Sequence, residues 1–184
     1  KPDLRFDMCL INVKSLTDRS DFNAFKSVES VKGLVVPGGA KYSRKNIDEL
    51  TDFVKKYKAK GLAWMKAEGG LLTCGISKFF NKDLQKELIG LTSINEGDII
   101  FLIGDEKELT QSALGALRVE IGKFEGLIDT GEFKPVWVTD FPMFEFDKET
   151  KQIDFSHNPF SMPQGDIKNI NFEKPLNLSL IHIS

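Results

Sequence analysis

Residues 99–121 read IIFLIGDEKELTQSALGALRVEI. The first five are all apolar. A run that short suits a strand better than a helix, and with no polar alternation it has no side to give to water. It is expected to be a central strand covered on both faces. The period then changes. Leu109, Ala113, Leu114, Leu117 and Ile121 fall on one helical face, Asp105 with Glu108 resembles a capping box at its start, and Gly122 weakens its end. A strand that feeds a helix in this way sets an α+β domain.

Upstream, residues 62–67 (LAWMKA) and 71–74 make a hairpin across Glu68-Gly69-Gly70. Phe79 and Phe80 begin a helical stretch through Leu84, Leu88, Ile89 and Leu91, and a loop follows at 94–98. Ser43 can cap a helix whose stripe is Ile47, Leu50, Val54 and Tyr57, with Gly61 just past its last turn. Two short β-type runs, near 25–28 and 31–36, come before it, and Pro37-Gly38-Gly39 stops the second. Residues 5–14 read as a further strand with weak alternation.

Downstream, 129–131 are polar, and a strand then begins in PVWVTDFPMFEF (135–146). Pro142 interrupts it, which marks an edge or a bulge. A hairpin turn at 148–151 leads into a return strand at 153–156 and then His157-Asn158-Pro159-Phe160. The order predicts a two-layer α+β module, an antiparallel sheet with helices, over 21–134. It is flanked by segments 1–20 and 135–177 whose strands belong to a different sheet, as when an inserted domain leaves and re-enters its host. The last seven residues, 178–184 (LSLIHIS), look like a translated sequencing adapter and are set aside, His182 with them.

The 184 residues are 41% hydrophobic and 28% charged, enough for one or two domains with real cores. Net charge is −2, and the lysine-rich stretches 41–45 and 55–60 read as solvated faces. Composition gives no support for non-specific nucleic-acid binding, although a shaped contact needs only a few placed cations. Cys9 and Cys74 match no metal spacing and are expected as buried free thiols in a reducing compartment. No apolar run is long enough to span a bilayer. A cytoplasmic location is expected.

Each candidate for chemistry has a plainer reading beside it. Pro37-Gly38-Gly39-Ala40 lacks P-loop spacing and reads as a turn feeding a helix. The acidic run 105–108 complements a helix dipole better than it holds a metal. Glu145 and Asp147, two apart on a strand, share a face. They could do acid–base work, or they could be exposed residues beside a turn. His157 precedes a stiffening Pro159, so its imidazole is either incidental or presented to a small anionic ligand.

Several segments, in order, resemble bacterial-type aspartyl-tRNA synthetases. Lys1-Pro2-Asp3-Leu4-Arg5 is similar to a stretch that follows the catalytic motif 2 region. Val36-Pro37-Gly38-Gly39-Ala40, Gly61-Leu62-Ala63-Trp64, Asp98-Ile99-Ile100-Phe101 and 113–118 (ALGALR) resemble the family's inserted GAD domain. Residues 137–144 (WVTDFPMF) resemble its return strand, and 156–165 (SHNPFSMPQG) the loop after it. The resemblance implies a piece of a class II ligase that uses ATP and Mg2+ to activate L-aspartate and transfers it to the 3′ end of tRNA(Asp). It implies a homodimer, and the sequence does not decide whether tRNA(Asn) is also charged. In that family the first histidine of an H-H-P-F loop helps bind aspartate. His157 stands at that position and Asn158 at the second, so only the first role carries over. The motifs that grip ATP lie outside the chain, so no catalytic, cofactor-binding or metal residue is expected within it, and the chain alone is expected to be inactive. The GAD domain is shared with the B subunit of the tRNA-dependent amidotransferase, which is one alternative. A stand-alone GAD-like tRNA-binding module is the other.

Overall fold

The computed structural model describes residues 3–142, 144–146, 150–155, 162–163 and 177–183. The chain divides into two compact units, Asp7–Leu127, and Lys1–Phe6 with Ile128–Ser184.

The larger unit is built on β1 (Leu10–Asn12), β2 (Ser30–Val36), β3 (Ala63–Glu68), β4 (Leu71–Thr73) and β5 (Ile99–Asp105), with α1 (Lys14–Thr17), α2 (Arg44–Lys55), α3 (Lys82–Thr92) and α4 (Lys107–Phe124). The strands form one antiparallel sheet in the order β1-β2-β5-β3-β4. The apolar run at 99–103 is its middle strand, as expected. It pairs with β2 from Ser30↔Asp105 to Val36↔Ile99 and with β3 from Ala63↔Leu102 to Lys66↔Ile99. Every side chain from Ile99 to Ile103 is at most 2% exposed. Alternation sends Ile100 and Leu102 into a core with Leu16, Met65, Leu84 and Leu88. Phe101 points the other way and meets Tyr42, which meets Phe124 of α4.

The α+β class is therefore borne out, and the layering is richer than the two layers expected. Helices α1 and α3 cover one face, and α2 and α4 the other. A central strand with no polar side cannot leave either face to water. In α4, Ala113, Leu114, Leu117 and Ile121 are fully buried as the stripe predicts, and Leu109 is half-buried. Each buried leucine or isoleucine contributes roughly 1.5–3 kcal/mol.

Local structure departs from these expectations in several places. The first strand is only Leu10–Asn12, and it pairs with β2 rather than with another sheet. Before it, the Met8 carbonyl is taken by the Arg118 side chain, not by a strand partner. The run near 25–28 contains a 3-10 turn, Asn23–Phe25. Phe25 plugs against Gly104, where a Cβ would come within 2.6 Å of its ring, while Lys14 Nζ holds the Phe25 carbonyl at 3.0 Å. The α2 stripe buries Ile47 and Val54, but the helix ends before Tyr57, which is 40% exposed. Its left-handed exit residue is Lys58 (φ +67°), not Gly61. Helix α3 starts at Lys82, capped by Asn81, after a 3-10 turn at Ser77–Phe79. No Asp105–Glu108 capping box opens α4. The Lys107 N–H instead donates to Glu29 Oε2 at 3.1 Å, a cap brought from 78 positions away. The helix runs through buried Gly122 and stops at Gly126 (φ +66°), where Leu127 N–H returns to the Gly122 carbonyl at 2.8 Å.

The smaller unit holds β6 (Pro135–Pro142), β7 (Phe144–Phe146), β8 (Ile153–Phe155), β9 (Met162–Pro163) and β10 (Asn177–Ile183). β7 and β8 make the expected hairpin, Phe144↔Phe155 to Phe146↔Ile153. β10 lies between β6 and β9, so the segment set aside at 178–184 falls largely within a strand. β6 is at an edge of these three strands, with Pro142 its last residue and a register shift nearby. This fits proline's missing N–H.

Candidate functional site

The Pro37-Gly38-Gly39 turn shows why it cannot cradle a phosphate. The Gly38 N–H donates to Asp98 Oδ1 at 2.8 Å, and Asp98 Oδ2 accepts from Asn95 N–H at 2.9 Å. Ala40 N–H goes to the Gly97 carbonyl at 2.9 Å. At Gly39 a Cβ would sit 2.4 Å from the Ile99 side chain. The turn is a lock between β2, the loop before β5 and the start of α2, with buried Asp98 as its bolt. The Asp98 signal was in the sequence, but nothing local links it to a turn 60 positions away.

The Gly69-Gly70 turn is a two-residue hairpin with both φ positive (+64° and +72°). Its two N–H groups form a small anion-binding concavity, and Glu96 fills it, with Oε1 2.8 Å from Gly69 N and Oε2 3.2 Å from Gly70 N. These backbone donors hold the Glu96 carboxyl below its usual range.

The remaining candidates disperse. Glu145 lies opposite Asp154 in the β7–β8 hairpin, and Asp147 is outside the described residues. His157 is also outside them. Cys9 and Cys74 are both exposed, not buried as expected: burial alternates along 6–9 so that Phe6 and Met8 point inward and Cys9 outward, and Cys74 stands at a positive-φ position (+60°) just past β4. Among the described residues no group of three or more His, Cys, Asp or Glu could hold a metal, and no helix is long and apolar enough to cross a membrane. In the smaller unit Arg5 and Asp3 are committed to each other through two bonds of 2.9 and 2.7 Å.

One polar cluster was not anticipated. Tyr42 OH donates to Glu125 Oε1 at 2.7 Å, and Lys41 Nζ donates to Oε2 at 2.7 Å. It joins the start of α2 to the end of α4. Lys41, with help from Tyr42, holds the Glu125 carboxyl below its ordinary value, while burial and the carboxylate push the Tyr42 phenol up.

Residues 22–114 match the family described as GAD domain. The chain belongs to the GAD domain family. It is 46% identical, over 90% of its length, to the aspartate–tRNA ligase of Halalkalibacterium halodurans, and 42% identical over 90% to that of Streptococcus thermophilus. It is also 42% identical, over 89%, to the aspartate–tRNA(Asp/Asn) ligase of Anoxybacillus flavithermus. The chain spans 28–29% of the length of these relatives. Within this GAD domain the locks just described, at Asp98, Glu96 and Glu29, are architectural. The matched region ends inside α4, so Arg118, Glu120, Phe124 and Glu125 lie beyond it.

Proposed function

We propose that the chain is part of an aspartate–tRNA ligase, a class II aminoacyl-tRNA synthetase. The whole protein activates L-aspartate with ATP and Mg2+ and transfers it to the 3′ end of tRNA(Asp). The observation that carries this reading is the reach of the similarity. Identity to the ligases runs over 90% of the chain, well beyond the 22–114 that the GAD domain accounts for. A shared module alone would not explain the flanks, so the amidotransferase B subunit and a stand-alone tRNA-binding module are not favoured.

In this reading His157 touches the aspartate, the enzyme works as a homodimer in the cytoplasm, and the residues for ATP and Mg2+ come from other parts of the protein. Similarity to a relative named for both tRNA(Asp) and tRNA(Asn) keeps the second substrate open. The test of the site is His157→Ala in the full-length protein, followed by ATP–pyrophosphate exchange. Loss of one hydrogen bond to a charged substrate costs about 1.5–3 kcal/mol. KM for aspartate should therefore rise roughly 10- to 150-fold by that conversion while KM for ATP stays put. An unchanged aspartate KM removes His157 from the site. The 184-residue chain alone is expected to show no exchange.

A further inference from the structure

Packing of α2 against α4 leaves a groove of about 200 Å³. Small-molecule sites usually enclose roughly 300–1,000 Å³, so this one suits a single long side chain. Leu50 and Phe53 of α2 and Phe124 of α4 give it an apolar aromatic wall, and Phe124 is 69% exposed. Its charged groups are Glu49, Glu120 and Lys56, so the lining is net negative. Neither carboxylate is well matched. Glu49 meets only Lys45, at 3.9 Å, with both side chains mostly in water. Glu120 is half-buried and has no ion pair or hydrogen bond among the described residues. Lys56 goes to a ring instead, its Nζ 5.9 Å from the Phe53 centroid. One cation therefore already rests on this wall, and a carboxylate in the same groove is left unanswered.

We propose that this groove receives an arginine side chain from the part of the same polypeptide that lies outside these 184 residues. The choice of a cation follows from Glu120. An apolar side chain in the groove would desolvate that carboxylate without pairing it, which is costly. An anion would be repelled. A guanidinium pairs a carboxylate through two parallel hydrogen bonds and lays its flat face on an aromatic ring, here Phe53 or Phe124. A lysine ammonium offers only a point charge. The choice of source follows from the groove's place. Phe124 stands just before Leu127, the last residue of the larger unit, and Leu127 is 42% exposed as well. The apolar surface thus runs to the point where the chain leaves that unit. The 184 residues span 28–29% of the length of their relatives. The inference rests on the ligase reading for a polypeptide long enough to supply the arginine.

The first test is an NMR titration of the 184-residue chain with N-acetylarginine N-methylamide and with its lysine and citrulline counterparts. Amide signals of α2 and α4 around the groove should move with the arginine probe. The lysine probe should bind more weakly. Citrulline, which keeps the shape without the charge, should bind at least about tenfold more weakly. Glu120→Gln should reduce the arginine probe to the citrulline level with an unchanged circular dichroism spectrum, because Glu120 has no partner to lose among the described residues. The second test is thermal unfolding. Glu120→Gln should lower the melting temperature of the full-length protein and leave that of the 184-residue chain unchanged. Equal binding of citrulline, or arginine binding that ignores Glu120→Gln, would mean a plain apolar cleft and would overturn the proposal. So would an absence of binding, or self-association of the chain that Glu120→Gln abolishes. Arginine binding with no change in the full-length melting temperature would put the arginine on another molecule and overturn the assigned source. A full-length protein that charges no aspartate but is destabilised by Glu120→Gln would sink the ligase reading and spare this one. Charging by a full-length protein indifferent to Glu120→Gln would do the reverse.

Discussion

Lys58 shows how a single residue can be placed against its own preference. It takes the left-handed conformation that ends α2, with Lys58 N–H on the Lys55 carbonyl at 2.9 Å and Ala59 N–H reaching back to Val54 at 3.4 Å. A residue with a Cβ loses about 1 kcal/mol or more in that region, and glycine does not. Lys58→Gly should therefore raise the unfolding free energy by about 1 kcal/mol, read from a urea midpoint with an unchanged slope. Glu125 carries the opposite sign of expectation. Its folded pKa is depressed below the ordinary 4.5 by Lys41 and Tyr42. Its contribution is complete above the unfolded value and is lost as pH falls through the folded one. Glu125→Gln should thus narrow the stability difference between pH 7 and the acid range below about 4.5. An acid-unfolding curve identical to that of the parent would show the cluster to be inert.

At the scale of elements, what could be read from the chain was what local periodicity encodes. The strand at 99–103, the α4 stripe, the Ser43 cap (Asn46 N–H to Ser43 Oγ at 3.2 Å) and the Gly69-Gly70 hairpin all have their cause within a few residues. The errors fall where the cause is distant. Nothing near Lys107 announces that Glu29 will cap its helix, and nothing near Phe25 announces the bare Cα of Gly104 that it covers. Gly61 looked like a helix stop because glycine usually is one, yet the chain turned three residues earlier at a lysine. The packing of α2 on α4 could not be read at all, since Phe53 and Phe124, which line the groove between them, are 71 positions apart and the two helices meet only because they cover the same face of the sheet. The weight carried by α4 is itself testable. Leu117→Ala, at a fully buried site, should cost about 2–5 kcal/mol. A loss under 1 kcal/mol in chemical denaturation would mean that α4 is not the cover of that face.

At the scale of the whole molecule, the two units differ in what they contribute to the functional argument. Asp7–Leu127 contains the matched GAD region and supplies a well-locked scaffold, and its three most suggestive motifs proved to be turns and caps rather than chemistry. The residues bearing the ligase-like loop, His157 among them, belong to the other stretch of chain, and no local rule of spacing could have assigned their role. Their reading rests on resemblance and on the reach of identity across both stretches. The measurement that bears most directly on it is aminoacylation by the full-length protein, with ATP, Mg2+, bulk tRNA and radiolabelled amino acids compared in parallel. Label from aspartate, and not from glutamate or asparagine, is expected to become attached to tRNA. Attachment of a different amino acid, or none in a folded full-length protein, would contradict it.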